Sequence, residues 1–170
     1  MGKIPGRFLW AAETIQVQPD DTVLEIGCGA GLLAELIAEG LLSGHINAID
    51  RSLPMITLAM KRNARFIESG TARFIAESFL KFEPGDMKFD KAVAFNVNFF
   101  WKDAMAELEK IRFLLKPGGR LFIFHQPPYS IGPDAADPVI DRLKKHGFEI
   151  VELVFKKMIP VSAFCIIAKV

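Results

Sequence analysis

The chain has 170 residues, enough to bury one sizeable core and too few for two ordinary domains, so a single domain over 1–170 is expected. With 51% hydrophobic and 24% charged residues it can offset the entropy of folding, which excludes a disordered chain. Twenty-one Lys and Arg against 20 Asp and Glu leave a net charge of +1, so no global field draws in nucleic acid or an anionic membrane.

The longest stretch free of Asp, Glu, Lys and Arg, Leu121 to Pro133, holds a histidine, three prolines and a glycine, and it cannot span a bilayer. The apolar run Phe8 to Ala12 is cut by Glu13 and is too short for a secretory signal, so a cytoplasmic protein is expected. Cys28 and Cys165 lie 137 residues apart without CxxC spacing. Neither a disulfide framework nor a metal site is indicated, and both are expected as free thiols.

Apolar runs of strand length alternate with amphipathic stretches of helix length, the pattern of a parallel sheet wrapped by helices. Arg7 to Val17 reads as a first helix, with a turn at Pro19-Asp20-Asp21. Thr22 to Ile26 is a buried strand, then come a glycine loop and a helix from Leu32 to Gly40. His45 to Ile49 is the second strand, and Ser52 is placed to cap a helix running to Ile67, with Pro54 in its first turn. Ala72 to Ile75 and Lys91 to Phe95 are the third and fourth strands. Asp103 to Leu115 carries Ala104, Leu108, Ile111 and Leu115 on one helical face, and Lys116-Pro117-Gly118-Gly119 ends it. Arg120 to Phe124 is the fifth strand, followed by a loop from Gln126 to Pro133 and a helix over Asp137 to Lys145. Phe148 to Phe155 and Ala163 to Val170 are two late strands, and the short link between them suits an antiparallel pair.

Val23-Leu24-Glu25-Ile26-Gly27-Cys28-Gly29-Ala30-Gly31 is the most informative segment, because its glycines lie between a strand and a helix, at the edge where open sheets bind ligands. Alone, such a loop fits equally a tight strand-to-helix turn. Its spacing is GxGxG rather than the GxGxxG of dinucleotide sites, and Glu25 stands two residues before the first glycine. An acid there repels phosphate and suits a cationic ligand group. Asp50 closes the second strand, where a carboxylate can accept two hydrogen bonds from ribose hydroxyls; a surface turn acid is the plainer alternative.

These residues resemble the class I S-adenosylmethionine-dependent methyltransferases, particularly the small-molecule branch with a minimal catalytic core. Leu24 to Gly31 is similar to the family's first motif and Asp50-Arg51-Ser52 with Met55 to its second. Ala76-Glu77-Ser78 resembles the segment that contacts adenine, Phe89-Asp90 with Asn96 the fourth motif, and Leu115 to Gly119 the turn before the fifth strand. The resemblance implies an α/β three-layer sandwich whose seven-stranded, mostly parallel sheet runs 3-2-1-4-5-7-6 with the seventh strand antiparallel. It implies that Glu25, Gly27, Cys28 and Gly29 shape the cofactor loop and that Asp50, with Arg51, holds the ribose. Met55 would pack near the nucleoside, Glu77 and Ser78 face the adenine amino group, and Asn96 lie by the methionyl moiety. Ala-Glu-Ser replaces the commoner Gly-Asp-Ala of the adenine motif.

Methyl transfer from a sulfonium demands alignment more than acid–base chemistry, so no catalytic signature is obligatory. His125, just past the fifth strand, is the candidate base; its alternative is a half-buried histidine satisfying loop backbone. Asn96-Val97-Asn98-Phe99-Phe100-Trp101 is not the Asn-Pro-Pro-Tyr motif of amino-methylating nucleic-acid enzymes. Its aromatics fit either an apolar substrate wall or plain core. The expected acceptor is a small molecule, with no nucleic acid or membrane partner and the oligomeric state open between monomer and homodimer. A non-catalytic cofactor-binding module and a nucleotide-dependent oxidoreductase remain as other readings.

Overall fold

The structure is a computed structural model describing residues 4–170. Seven strands form one sheet in the order β3-β2-β1-β4-β5-β7-β6, with β7 antiparallel to both β5 and β6 and the helices around it, as the resemblance implied. Residue contacts divide the chain into two compact units, one up to Glu83 and one from Pro84 to Val170.

In the first unit, α1 (Gly6–Ile15) buries Trp10, Ala11 and Ile15, and ends two residues earlier than expected because Gln16 turns left-handed, its N–H returning to the Ala12 carbonyl. β1 (Thr22–Ile26) pairs parallel with β2 (His45–Asp50), setting Glu25 beside Ala48, and β2 pairs parallel with β3 (Ala72–Ala76). These strands form because apolar residues such as Val23, Leu24, Ile46, Ala48 and Ile49 are covered on both faces. Between β1 and β2 lies α2 (Leu32–Glu39). The single helix expected from Ser52 to Ile67 is two, α3 (Leu53–Arg62) and α4 (Ala64–Glu68). The break is at Asn63, whose side chain competes for the helical carbonyl of Ala59 at 2.9 Å.

In the second unit, β4 (Phe89–Phe95) pairs parallel with β5 (Leu115–His125), and α5 (Met105–Leu114) connects them. β5 starts five residues earlier than expected: Lys116 to Gly119 form a bulge inside the strand, between the pairs Phe89–Leu115 and Lys91–Arg120. Lys116 reaches Asp90 across it at 2.7 Å. Asn98–Trp101 makes a 3-10 turn after β4, and Pro133–Ala136 another before α6 (Asp137–Lys145). β6 (Glu149–Lys156) and β7 (Ala163–Lys169) close the order, and Ala163 to Ala168 are all buried. Among the described residues no helix is long and apolar enough to cross a membrane.

Candidate functional site

In the first unit, Glu25, Gly27, Cys28, Gly29, Asp50, Glu77 and Ser78 gather where β1, β2 and β3 end. The N–H groups of Gly27, Cys28, Gly29 and Gly31 all go to protein acceptors. Gly27 and Cys28 N–H both donate to the Ile49 carbonyl, at 2.8 and 3.0 Å, and Gly31 N–H donates to the Cys28 carbonyl at 3.0 Å. Gly29 N–H donates to Asp50 Oδ2 at 2.9 Å. A phosphate cradle turns such groups toward its ligand. This loop offers no such row, so its backbone argues against a pyrophosphate. Gly29 has φ +52°, and a Cβ there would meet no atom within 4 Å, leaving room for a ligand against the backbone.

The second oxygen of Asp50 accepts the Ser52 N–H at 2.9 Å, so one carboxylate ties the glycine loop to the start of α3. Each oxygen keeps acceptor capacity beyond these bonds, as ribose hydroxyls require. Ser52 stands at the expected cap position, but its side chain makes no capping bond. Glu77 N–H donates to the Asp50 carbonyl at 3.0 Å, and Glu77 Oε1 accepts the Ser78 N–H at 2.7 Å. Arg51 is exposed just after β2, and Met55 is exposed in the first turn of α3.

Glu25 is the anomaly of this half. Its side chain is 2% exposed, and Oε2 has no partner among the described residues. Burial first, and the Asp50 carboxylate second, push its pKa up to about 8, against the pull of the Ala34 backbone N–H. Ala34 lies in the first turn of α2, whose N–H groups have no helical acceptor. A buried carboxyl with a vacant acceptor atom is the complement of a cationic ligand group. The residues therefore fit S-adenosylmethionine, which carries such charge. Cys28 is buried, and desolvation, then Glu25 and Asp50, push its thiol pKa far above the ordinary range, so it stays a neutral thiol.

In the second unit, Asn96 has φ +56° and faces the chain after β5. Its Nδ2 donates to the Gln126 carbonyl at 3.0 Å, and its Oδ1 accepts the Gln126 N–H at 2.7 Å. The amide expected to lie by a methionyl group is thus committed to peptide groups, and it fixes the residue next to His125. The His125 imidazole stacks on the Trp101 indole with centroids 4.0 Å apart, and Phe164 lies 5.4 Å away. Nδ1 is covered and has no partner among the described residues, and desolvation lowers the ring's pKa from the usual histidine value. Arg142 of α6 donates to the Phe100 carbonyl and so secures the turn that carries Trp101.

The family model described as a methyltransferase domain matches residues 23–119. The chain belongs to this methyltransferase family. With its fold, that makes it a class I S-adenosylmethionine-dependent methyltransferase. It is 27% identical over 165 residues to YdaC, an uncharacterized methyltransferase of Bacillus subtilis strain 168, covering 94% of this chain and 89% of that one. A ubiquinone biosynthesis O-methyltransferase of Paraburkholderia xenovorans strain LB400 is 33% identical over 105 residues, covering 59% of this chain and only 42% of that protein. A SAM-dependent methyltransferase of Aquifex aeolicus has the same fold, with TM-score 0.77 at 18% identity, over 95% of this chain and 88% of that one.

Sequence reading of this methyltransferase missed the residues that act on backbone: Asn63, Arg62, Arg142 and the second grip of Asp50. Only Asn63 carried a local signal, a poor helix former between two amphipathic stretches.

Proposed function

We propose that this methyltransferase acts on a small molecule whose accepting atom carries an already acidic proton, such as a phenol, enol or thiol. When bound, S-adenosylmethionine supplies a methyl group on a sulfonium that is its own leaving group. The protein's share is alignment and exclusion of water, effects that reach about 7 to 11 kcal/mol. Glu25, Gly27, Cys28 and Gly29 would hold the methionyl end, Asp50 with Arg51 the ribose, and Met55, Glu77 and Ser78 the adenine. Asn96 would fix Gln126 and with it the chain next to His125.

The stacked, half-covered His125 carries the acceptor class. Its surroundings favour neutral imidazole, the form that takes a proton, at Nε2. In that form the ring hydrogen sits on the covered Nδ1, and desolvation of the half-covered ring disfavours the imidazolium, so His125 is a weak base and suits an acceptor that needs little help. A net charge of +1 and the absence of an Asn-Pro-Pro-Tyr sequence after β4 support a small molecule over a nucleic acid.

Calorimetry tests the cofactor half: S-adenosylhomocysteine binds the wild type, Asp50→Ala loses at least tenfold in affinity, and NADH does not bind. Tighter binding of NADH overturns the reading. A panel of phenols, thiols, alcohols and amines tests the acceptor half, with His125→Ala lowering kcat at unchanged cofactor affinity. Methylation confined to alcohols or amines, or full activity in His125→Ala, refutes it.

A further inference from the structure

Two consecutive residues at the end of α3 grip two consecutive carbonyls of the glycine loop. Arg62 Nε donates to the Ala30 carbonyl at 3.1 Å. Asn63 Nδ2 donates to the Gly31 carbonyl at 3.0 Å, and its other hydrogen goes to Ala59 in its own helix. Asn63 is fully buried, and its Oδ1 has no partner among the described residues, a cost that only a fixed amide orientation would justify. The seam leaves no slack: a Cβ on Gly31 would lie 2.8 Å from both Ala59 Cβ and Asn63 Nδ2. From the other side, Asp50 and Ile49 hold the first three peptide N–H groups of the loop.

We infer that Arg62 and Asn63 are positioning residues for the cofactor, setting the conformation of the glycine loop by its trailing carbonyls before any ligand arrives. Neither touches the cofactor; each acts through the backbone that does, and pre-organisation of that backbone lowers the cost of binding. The inference rests on the reading that S-adenosylmethionine binds this loop. It also separates two roles of Arg62, whose Nη1 pairs with Glu35 at 3.3 Å while Nε holds the loop.

Arg62→Ala is the primary test, because its side chain is partly exposed and its removal leaves the core intact. Loss of the bond weakens S-adenosylhomocysteine binding by about three- to tenfold and raises KM for the cofactor with kcat unchanged. Amide exchange at Gly29 to Gly31 quickens in the ligand-free protein. Glu35→Gln removes the ion pair and leaves the loop bond, so its affinity stays at the wild-type value. Asn63→Ala acts as Arg62→Ala but more strongly, provided it folds. Unchanged affinity and loop exchange in Arg62→Ala, or an equal loss in Glu35→Gln, overturns the inference. If the wild type itself fails to bind S-adenosylhomocysteine, the cofactor reading falls, while the exchange rates still decide whether the clamp exists.

Discussion

Replacing Glu25 with glutamine removes a titration that the fold imposes. The carboxyl has an ordinary pKa of 4.5 when exposed and about 8 when folded, so between those values the folded state holds a proton that the unfolded chain has released. The stability contributed by the neutral acid is complete below pH 4.5, is lost as pH rises toward 8, and changes no further above that. Each pH unit in the window costs about 1.4 kcal/mol, so the wild type loses about 3 kcal/mol relative to Glu25→Gln between pH 5 and pH 7. Urea unfolding of both proteins at pH 5, 6, 7 and 8 measures the difference directly. A cationic ligand reverses the preference: at pH 7 binding of S-adenosylhomocysteine expels up to about one proton from the wild type, read by calorimetry in buffers of different ionisation enthalpy, and none from Glu25→Gln. Parallel stability profiles, or equal proton release by the two proteins, would refute the assignment of a buried neutral acid at this position.

Three other outcomes follow from the second unit. The His125 ring titrates below 6.5 by NMR, and because its folded pKa is depressed, its contribution is present above that pH and lost as pH falls; His125→Phe resists acid better. Asn96→Asp keeps the acceptor for the Gln126 N–H but sets an oxygen against the Gln126 carbonyl, so kcat falls while S-adenosylhomocysteine affinity holds. Arg142→Ala frees the Phe100 carbonyl, and the upfield ring-current shift of the His125 protons under Trp101 diminishes.

The strands and most helices were legible in the sequence because they are written in burial: Val23-Leu24 and Ala163 to Ala168 are apolar runs covered by neighbours, and Ile46, Ala48 and Ile49 are covered around a single Asn47. The order of strands came from the family resemblance rather than from periodicity. What stayed illegible is tertiary hydrogen bonding. No pattern in the chain says that Asp50 gives one oxygen to Gly29 and the other to Ser52, or that Asn63 breaks a helix to hold a carbonyl 32 residues earlier. Lys116 to Gly119 was read as a helix stop because proline and glycine do end helices; here the stretch is a bulge inside β5, with Phe89 and Lys91 paired on either side of it and Asp90 held by Lys116. Nor does the sequence say that the Asn96 amide bonds the backbone of Gln126, since an amide's partner depends on which chain comes to lie opposite.

The antiparallel seventh strand also dictates an order of assembly. β6 is made before β7, yet among the described strands it bonds only to β7, which in turn spans from Arg120 on β5 to Lys169, 49 residues later. While a ribosome is still supplying residues before Ala163, β6 has no ladder to join, and its row of peptide groups must wait in water. The hairpin through Pro160 is local and closes cheaply, whereas seating β7 on β5 brings together partners 39 to 49 residues apart. β6 thus joins the ladder only through β7, and the buried run Ala163 to Ala168 is covered when the hairpin seats on β5.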